Sequence, residues 1–208
     1  AILYGLRISL IVGIGSAVFA AAIGTLLGLI AAYAGGRGDA FIMRLTDLQL
    51  SFPSILVALM ILVLLGTGVA NVMLALVIVE WAFYARTARG TALAERQREY
   101  MEAASGLALP HWRILLRHLL PNCLPPLIVI ATMQIARAIA LEATLSFLGL
   151  GVPITEPSLG LLIANGEQFM LAGLYWISVF PGLPLVLTVV AINLVGDHLR
   201  DILNPRNA

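Results

Sequence analysis

The sequence contains no lysine, a single cysteine and few charged residues of either sign. Charged residues make up 11% of the 208 positions, and all 12 basic side chains are arginine. Without lysine the chain has neither a Walker A lysine for a P-loop nucleotide site nor a Schiff-base nucleophile. Cys123 stands alone and the three histidines are scattered without an HExxH spacing, so no disulfide framework and no metal site are predicted. The net charge of +1 gives no electrostatic support for a nucleic-acid partner.

Apolar residues occupy most of the chain, at 61% of all positions. One bilayer crossing takes about 20 such residues. Five segments are long enough: 8–34, 51–70, 71–93, 122–148 and 178–198. The sequence therefore predicts an all-α polytopic membrane protein, with residues 1–208 forming a single transmembrane domain. A cleaved signal peptide is an alternative for the first segment, but signal peptides have apolar runs of only about 7–15 residues.

The arginines predict the orientation of these spans. With five crossings, ten arginines fall on one side of the membrane, Arg7 falls on the other and Arg137 lies within a span. Positive residues favour the cytoplasmic side. We therefore expect a multi-pass membrane protein with a cytoplasmic C-terminus. A first residue outside, without a signal peptide, further predicts that the native protein has six spans.

Two regions between the spans are long enough to have structure of their own. In the cytoplasmic loop 94–121, Tyr100, Ala103, Ala104 and Leu107 have the spacing of one helix face. Pro110 suits the first turn of a second helix. The loop therefore predicts two short amphipathic helices at an angle. An ordinary loop folded against its own spans would have a similar composition. The extracytoplasmic loop 149–177 contains a segment, 158–170, that we expect to lie along the membrane surface as a helix.

The amino-acid sequence of the cytoplasmic loop resembles that of a loop in a known protein family. Glu102-Ala103-Ala104, followed by a turn and then Leu120-Pro121, is similar to the EAA loop of binding-protein-dependent ABC importer permeases. The resemblance covers the whole chain and points to the second permease subunit of the dipeptide, oligopeptide and nickel importers. The matching stretches are Gly5-x-Arg7-x-Ser9-Leu10, Met43-Arg44-x-x-Asp47, Phe52-Pro53, Tyr84-Ala85-Arg86-x-x-Arg89-Gly90, Arg117-His118-x-Leu120-Pro121-Asn122, Leu141-Glu142-Ala143-x-Leu145-Ser146-Phe147-Leu148-Gly149-Leu150-Gly151, and Asn193-x-x-Gly196-Asp197-x-Leu199-Arg200-Asp201-x-Leu203-x-Pro205-Arg206.

The resemblance implies a function and a set of partners. The chain would form half of a translocation pathway for peptides or a related small solute such as a nickel chelate. It would pair with a homologous second permease in the lipid bilayer of a prokaryotic cytoplasmic (inner) membrane. Two ABC ATPase subunits would bind ATP and Mg, an extracytoplasmic solute-binding protein would deliver the cargo, and this chain would hold no cofactor. The implied coupling residues are Tyr100, Glu102, Ala103, Ala104, Gly106, Leu107 and Ala108. The family's loop glycine falls on Ala108 here, so the loop bends either there or at Gly106.

A stripe of small residues runs along the first span at four-residue spacing and contains Gly24-x-x-x-Gly28. Such a stripe lets a neighbouring helix approach closely. The spacing alone leaves open whether that neighbour belongs to this chain or to a second permease.

Three ionisable residues fall within or near the spans. Glu80 and Arg137 have similar predicted depths, which favours a structural ion pair, although groups of this kind also mark substrate paths. Glu142 lies nearer the outer surface and is a candidate gate or pathway residue. An ion-coupled secondary transporter would use Glu80 and Arg137 as coupling groups. An intramembrane hydrolase is less compatible with the sequence, because the spans contain no GxSxG and no paired-histidine motif.

Overall fold

The computed structural model describes residues 1–107, 110–153 and 155–203, and within these ranges the regular structure is helical. The α-helices are α1 (Ile2–Ala34), α2 (Gly36–Ser51), α3 (Ser54–Leu65), α4 (Val69–Glu95), α5 (Glu99–Gly106), α6 (His111–Arg113), α7 (Leu120–Phe147), α8 (Leu159–Glu167) and α9 (Trp176–Leu203). A π-helical segment, Ile114–Leu119, joins α6 to α7 without a break, and a 3₁₀ turn, Met170–Ala172, precedes α9. The all-α prediction is confirmed.

Four helices in the described part of the chain are long and apolar enough to cross a membrane. They are α1, α4, the continuous helix His111–Phe147 and α9. They contain the predicted spans 8–34, 71–93 and 178–198, and all but the last residue of 122–148. A fifth crossing exists only if the bent pair formed by α2 and α3 is counted as one broken span.

The predicted span 51–70 is not one continuous helix, and it counts as a crossing only as part of the bent α2–α3 pair. Helix α3 has 12 residues, about 18 Å at 1.5 Å per residue, whereas the hydrocarbon core is about 30 Å thick. Phe52 and Pro53 interrupt the helix, and α2 and α3 meet there at 91°. Proline removes a backbone donor and clashes with the preceding turn, which favours the break observed at Pro53. Residues 36–51, predicted as a link between spans, form α2.

Helix α1 packs along α4 through its stripe of small residues. A methyl group added at Gly24 would overlap the carbonyl oxygen of Trp81 and lie 2.7 Å from the Cβ of Tyr84. One added at Gly28 would lie 2.8 Å from the Cβ of Ala88. In this structure the stripe of small residues therefore lies against α4 of the same chain.

Two ion pairs fix α2 against the end of α4. Arg86 approaches Asp47 at 2.6 Å, and Arg89 pairs with Asp39 through two guanidinium nitrogens. On the same side of α2, Thr46 is fully buried and donates to the carbonyl of Ile42. The two arginines and Asp47 belong to the motif stretches of the sequence, so these motifs hold α2 in place.

The helix expected on the membrane surface packs into the protein instead. Ser158 caps α8 by accepting from the Leu161 backbone N–H at 3.4 Å. Gly160 lies so close to Ala143 of α7 that a methyl group there would be 2.5 Å from its Cα. Gly166 fits in the same way against Ser178 of α9. Because α8 is buried between α7 and α9, the outer loop closes the end of the bundle.

Candidate coupling surface and membrane interior

Helix α5 is anchored to the bundle by one side. Met101 and Ala104 are both 4% exposed and belong to a buried cluster with Ile114, Leu119 and Cys123. At the start of α5, the Tyr100 hydroxyl donates to Glu95 at 2.8 Å. Burial, and then that bond to a carboxylate, raise the pKa of Tyr100 to about 12. These contacts fix the rotation of α5 about its own axis.

The opposite side of α5 is open. Glu102, Ala103, Gly106 and Leu107 are exposed, and the side chain of Leu107 retains 74% of its accessible surface. We call these four residues the α5 outer face. At about 100° per residue they cover one continuous arc of the helix. The predicted coupling residues are therefore placed close together, but they do not all point the same way.

Ala104, a predicted coupling residue, is buried against the bundle in this structure, and its role in coupling stays a prediction. Ala104 and, in part, Tyr100 point into the bundle, whereas Ala103 and Leu107 point away from it. The spacing of these four residues does place them on neighbouring sides of a helix. The spacing could not show which side of the helix faces the bundle. That side depends on inward residues such as Met101, which packs in the buried cluster.

The second predicted loop helix begins after Pro110, as expected, but it is not a separate element. Helix α6 continues through the π segment into α7. Trp112 is 63% exposed and Arg113 lies over its ring at 5.7 Å, whereas Leu119 is fully buried. Gly106 is the last residue of α5, so the chain turns after it; Ala108 lies outside the described residues.

A contact that the sequence did not suggest joins this loop to α1. The hydroxyl of Tyr33, near the end of α1, is hydrogen-bonded to Nδ1 of His111. Arg96, just after α4, lies over the Tyr33 ring at 5.5 Å and donates to the carbonyl of Ala32. An aromatic residue at a helix end and a histidine 78 positions later carry no local pattern, so only the fold reveals their contact.

The predicted ion pair between Glu80 and Arg137 is not formed. Glu80 is fully buried, and neither of its carboxylate oxygens has a hydrogen-bond partner. Arg137 donates instead to Ser54 at 2.9 Å and lies over the ring of Phe83 at 4.5 Å. The sequence predicted similar depths for the two residues, but depth along a helix does not determine the direction in which each side chain points.

Glu142 is fully buried at the end of the bundle that carries α8. One carboxylate oxygen accepts from Ser9 and the other from Ser146, both at 2.7 Å. The two serines in turn accept from backbone N–H groups of the outer segments, at Leu159 and Val152 respectively. Every one of these contacts is internal, so Glu142 holds α1, α7 and the outer loop together; its prediction as a gate or pathway residue stays untested.

Known proteins are similar to this chain in sequence and in fold. A family profile described as binding-protein-dependent transport system inner membrane component matches residues 24–208. The probable D,D-dipeptide transport system permease protein DdpC of Escherichia coli (strain K12) is 42% identical, over 99% of this chain and 68% of that protein. The glutathione transport system permease protein GsiD of Pectobacterium atrosepticum is 40% identical, over 99% and 68%.

The fold has solved counterparts among ABC transporters. A chain of the inward-facing MetNI methionine ABC transporter superimposes with a TM-score of 0.78 at 21% identity, over 98% of this chain and 96% of that one. A chain of an amino acid ABC transporter gives a TM-score of 0.62 at 14% identity, over 96% and 92%. The chain belongs to the family of binding-protein-dependent transport system inner membrane components, and it is the multi-pass permease component of an ABC importer rather than a catalytic subunit.

Proposed function

We propose that this chain forms half of the pathway of an ATP-driven importer of peptides or a related small solute, with the α5 outer face as its contact to an ATPase. Relatives named for D,D-dipeptide, di/tripeptide and glutathione transport support peptides as the cargo class. A nickel chelate is the second candidate cargo. The family match supports this function over an ion-coupled secondary transporter.

The observation that carries the proposal is the two-sided environment of α5. Its inner side belongs to the same buried cluster as Leu29 of α1, Tyr84 of α4 and Leu127 of α7. Among the described residues, none covers the α5 outer face, so a partner protein can contact it. A displacement applied to the outer face is therefore transmitted to three spans through close-packed side chains.

The partners follow from what the chain supplies. It contributes apolar spans and a lever, whereas ATP and Mg are bound by two ATPase subunits. A homologous second permease completes the pathway, and an extracytoplasmic binding protein delivers the solute. In this scheme the C-terminus is cytoplasmic. Closure of the ATPases moves the α5 outer face and exposes the pathway to each side in turn.

Substitution of Ala103 tests the coupling surface. Ala103→Arg places a long charged side chain on the α5 outer face, where it holds a docked partner away by volume and by desolvation of an unpaired charge. Ala40→Arg, at an exposed alanine of α2, is the matched control. In liposomes with the ATPases and binding protein, we expect Ala103→Arg to abolish both solute uptake and the ATP turnover stimulated by loaded binding protein. The control should retain both.

Two outcomes would contradict this assignment. If Ala103→Arg transports at the rate of the unmodified protein, the α5 outer face is not the lever. If Ala104→Arg assembles normally and behaves like Ala103→Arg, Ala104 lies on the docking surface and the inward orientation described above is wrong. We expect Ala104→Arg to lower the yield of folded protein instead, because it introduces a charge into a buried cluster. The cargo is tested by measuring whether the cognate binding protein retains a dipeptide or a nickel chelate.

A further inference from the structure

The bend between α2 and α3 lies deep inside the membrane region. Ser54, the first residue of α3, accepts a hydrogen bond from Arg137 at 2.9 Å. Arg137 is ten residues before the end of α7 at Phe147, about 15 Å at 1.5 Å per residue. The Phe83 ring under its guanidinium is 14 residues from the start of α4 at Val69, about 21 Å. Counted from these two helix ends, this group lies about 15–21 Å into a hydrocarbon core of about 30 Å.

The backbone at the bend is irregular and uncovered. Ser51, Phe52 and Pro53 are exposed, with Phe52 at 61%, and the helical hydrogen-bonding pattern stops between Ser51 and Ser54. Lipid cannot satisfy free backbone groups, so a non-helical segment at membrane depth is stable only against protein or along a water-filled cavity. The side of the chain that carries this bend therefore does not face lipid.

The guanidinium of Arg137 has unused hydrogen-bonding capacity. Arginine carries five N–H donors, and Ser54 is its single hydrogen-bond acceptor among the described residues. Glu80 does not pair with it, and the Phe83 ring occupies one face of its plane. A charged group at this depth usually faces a water-filled path, and Arg137 is only partly buried.

Resting on the proposed function, we propose that Arg137, positioned by Ser54 at the α2–α3 bend, forms an anion-binding site in the water-filled pathway and takes the carboxylate of the passing solute. The planar guanidinium fork matches a carboxylate through two parallel hydrogen bonds. A free carboxylate is the group that peptides of any side-chain composition share, so one arginine serves many cargoes. The site guides the solute rather than selecting among side chains.

Cysteine labelling of the assembled transporter tests the site without knowledge of the cargo. The single native cysteine, Cys123, is buried and is replaced by alanine in the background. Phe52→Cys reports on the bend. Leu171→Cys, fully exposed outside the spans, is the water control, and Leu187→Cys, 65% exposed within the unbroken helix α9, is the membrane-depth control. The probes are an anionic and a cationic methanethiosulfonate reagent, with rates normalised to those at Leu171→Cys.

We expect Phe52→Cys to react in the resting complex, and to prefer the anionic reagent by about tenfold because a fixed charge concentrates counter-ions in a cleft. Arg137→Gln should remove this preference and Arg137→Lys should keep it. A dipeptide with a free carboxylate should slow labelling, whereas the same dipeptide as its C-terminal amide should not. Ser54→Ala keeps the charge but frees the guanidinium, so it should retain the charge preference and weaken the protection.

Each remaining result overturns the proposal. Reactivity as low as that of Leu187→Cys means that the bend is not hydrated. Reactivity without charge preference, or with a preference that survives Arg137→Gln, means that Arg137 does not act on anions there. Equal protection by the free and amidated dipeptides removes the carboxylate as the ligand. These readouts are separate from the coupling test: normal uptake by Ala103→Arg would refute the coupling proposal and leave the labelling pattern intact.

Discussion

Ser9 and Glu142, separated by 133 residues, are joined by a buried hydrogen bond of 2.7 Å between the Ser9 hydroxyl and a carboxylate oxygen. This bond ties the outer part of α1 to the outer part of α7. Because Ser9 also accepts from the Leu159 backbone N–H, the start of α8 is fixed at the same point. One carboxylate therefore determines how three helices meet at the outer end of the bundle.

We expect Glu142→Ala to lower the stability of this end markedly. It leaves the buried hydroxyls of Ser9 and Ser146 without their shared acceptor, and each unsatisfied buried group costs about 1–3 kcal/mol. The measurement is the apparent melting temperature of the purified protein in detergent. Glu142→Gln is the control: its amide oxygen still accepts from one hydroxyl while its NH2 group can only donate to the other, so it should lose less stability than Glu142→Ala. An equal loss for the two variants would show that charge, rather than hydrogen bonding, is what matters.

Glycine-to-alanine substitutions at Gly24 and Gly90 should change stability in opposite directions. At Gly24 the new methyl group overlaps the Trp81 carbonyl and forces α1 away from α4, with a cost of about 1–3 kcal/mol for overpacking. At Gly90, within α4, an added methyl group meets nothing within 4 Å, so alanine should stabilise the helix by up to about 1 kcal/mol. Thermal unfolding of both variants in detergent provides the comparison. If Gly24→Ala is tolerated as well as Gly90→Ala, the close α1–α4 contact is not formed.

The two aspartates of α2 should differ in importance. Asp39 has 19% of its side chain exposed and meets Arg89 through both carboxylate oxygens, whereas Asp47 has 61% exposed beside Arg86. Exposed ion pairs contribute about 0–1 kcal/mol because water screens them. We therefore expect Asp39→Asn to loosen α2 more than Asp47→Asn does. Limited proteolysis around Gly35, which joins α1 to α2, measures how firmly α2 is held. Equal cleavage of the two variants would contradict the expected difference.

Replacing Glu80 with an apolar residue should not destabilise the protein. The carboxylate is fully buried and both oxygens lack partners, and removing an unsatisfied buried polar group avoids a cost of about 1–3 kcal/mol. Glu80→Met keeps the length of the side chain and should raise the melting temperature in detergent. Leu76→Glu, one turn away at a fully buried apolar position of α4, is the reverse control and should lower it. A fall for Glu80→Met would show that the carboxylate has a partner in the assembled protein.

The sequence predicted the features of this protein that depend on composition and local spacing. Four spans follow from apolar length alone, because a run of more than about 20 apolar residues has few alternatives to a membrane helix. The α1 face that contains Gly24 and Gly28 follows from four-residue spacing. The function of the loop around Glu102 was suggested by its resemblance to a family motif rather than by its helical periodicity.

Only the tertiary structure decided which way each face points and which groups meet. Periodicity placed Ala103 and Ala104 on one helix face. In the structure Ala104 and Met101 pack against the bundle, and Ala103 points outward. Glu80 and Arg137 were predicted at similar depth, but the guanidinium donates to Ser54, which follows the break at Pro53, and it lies over the ring of Phe83 of α4. The physical reason is the same in both cases. A helix fixes the angles among its own side chains, whereas the rotation of the helix and the choice among nearby partners depend on residues distant in the chain.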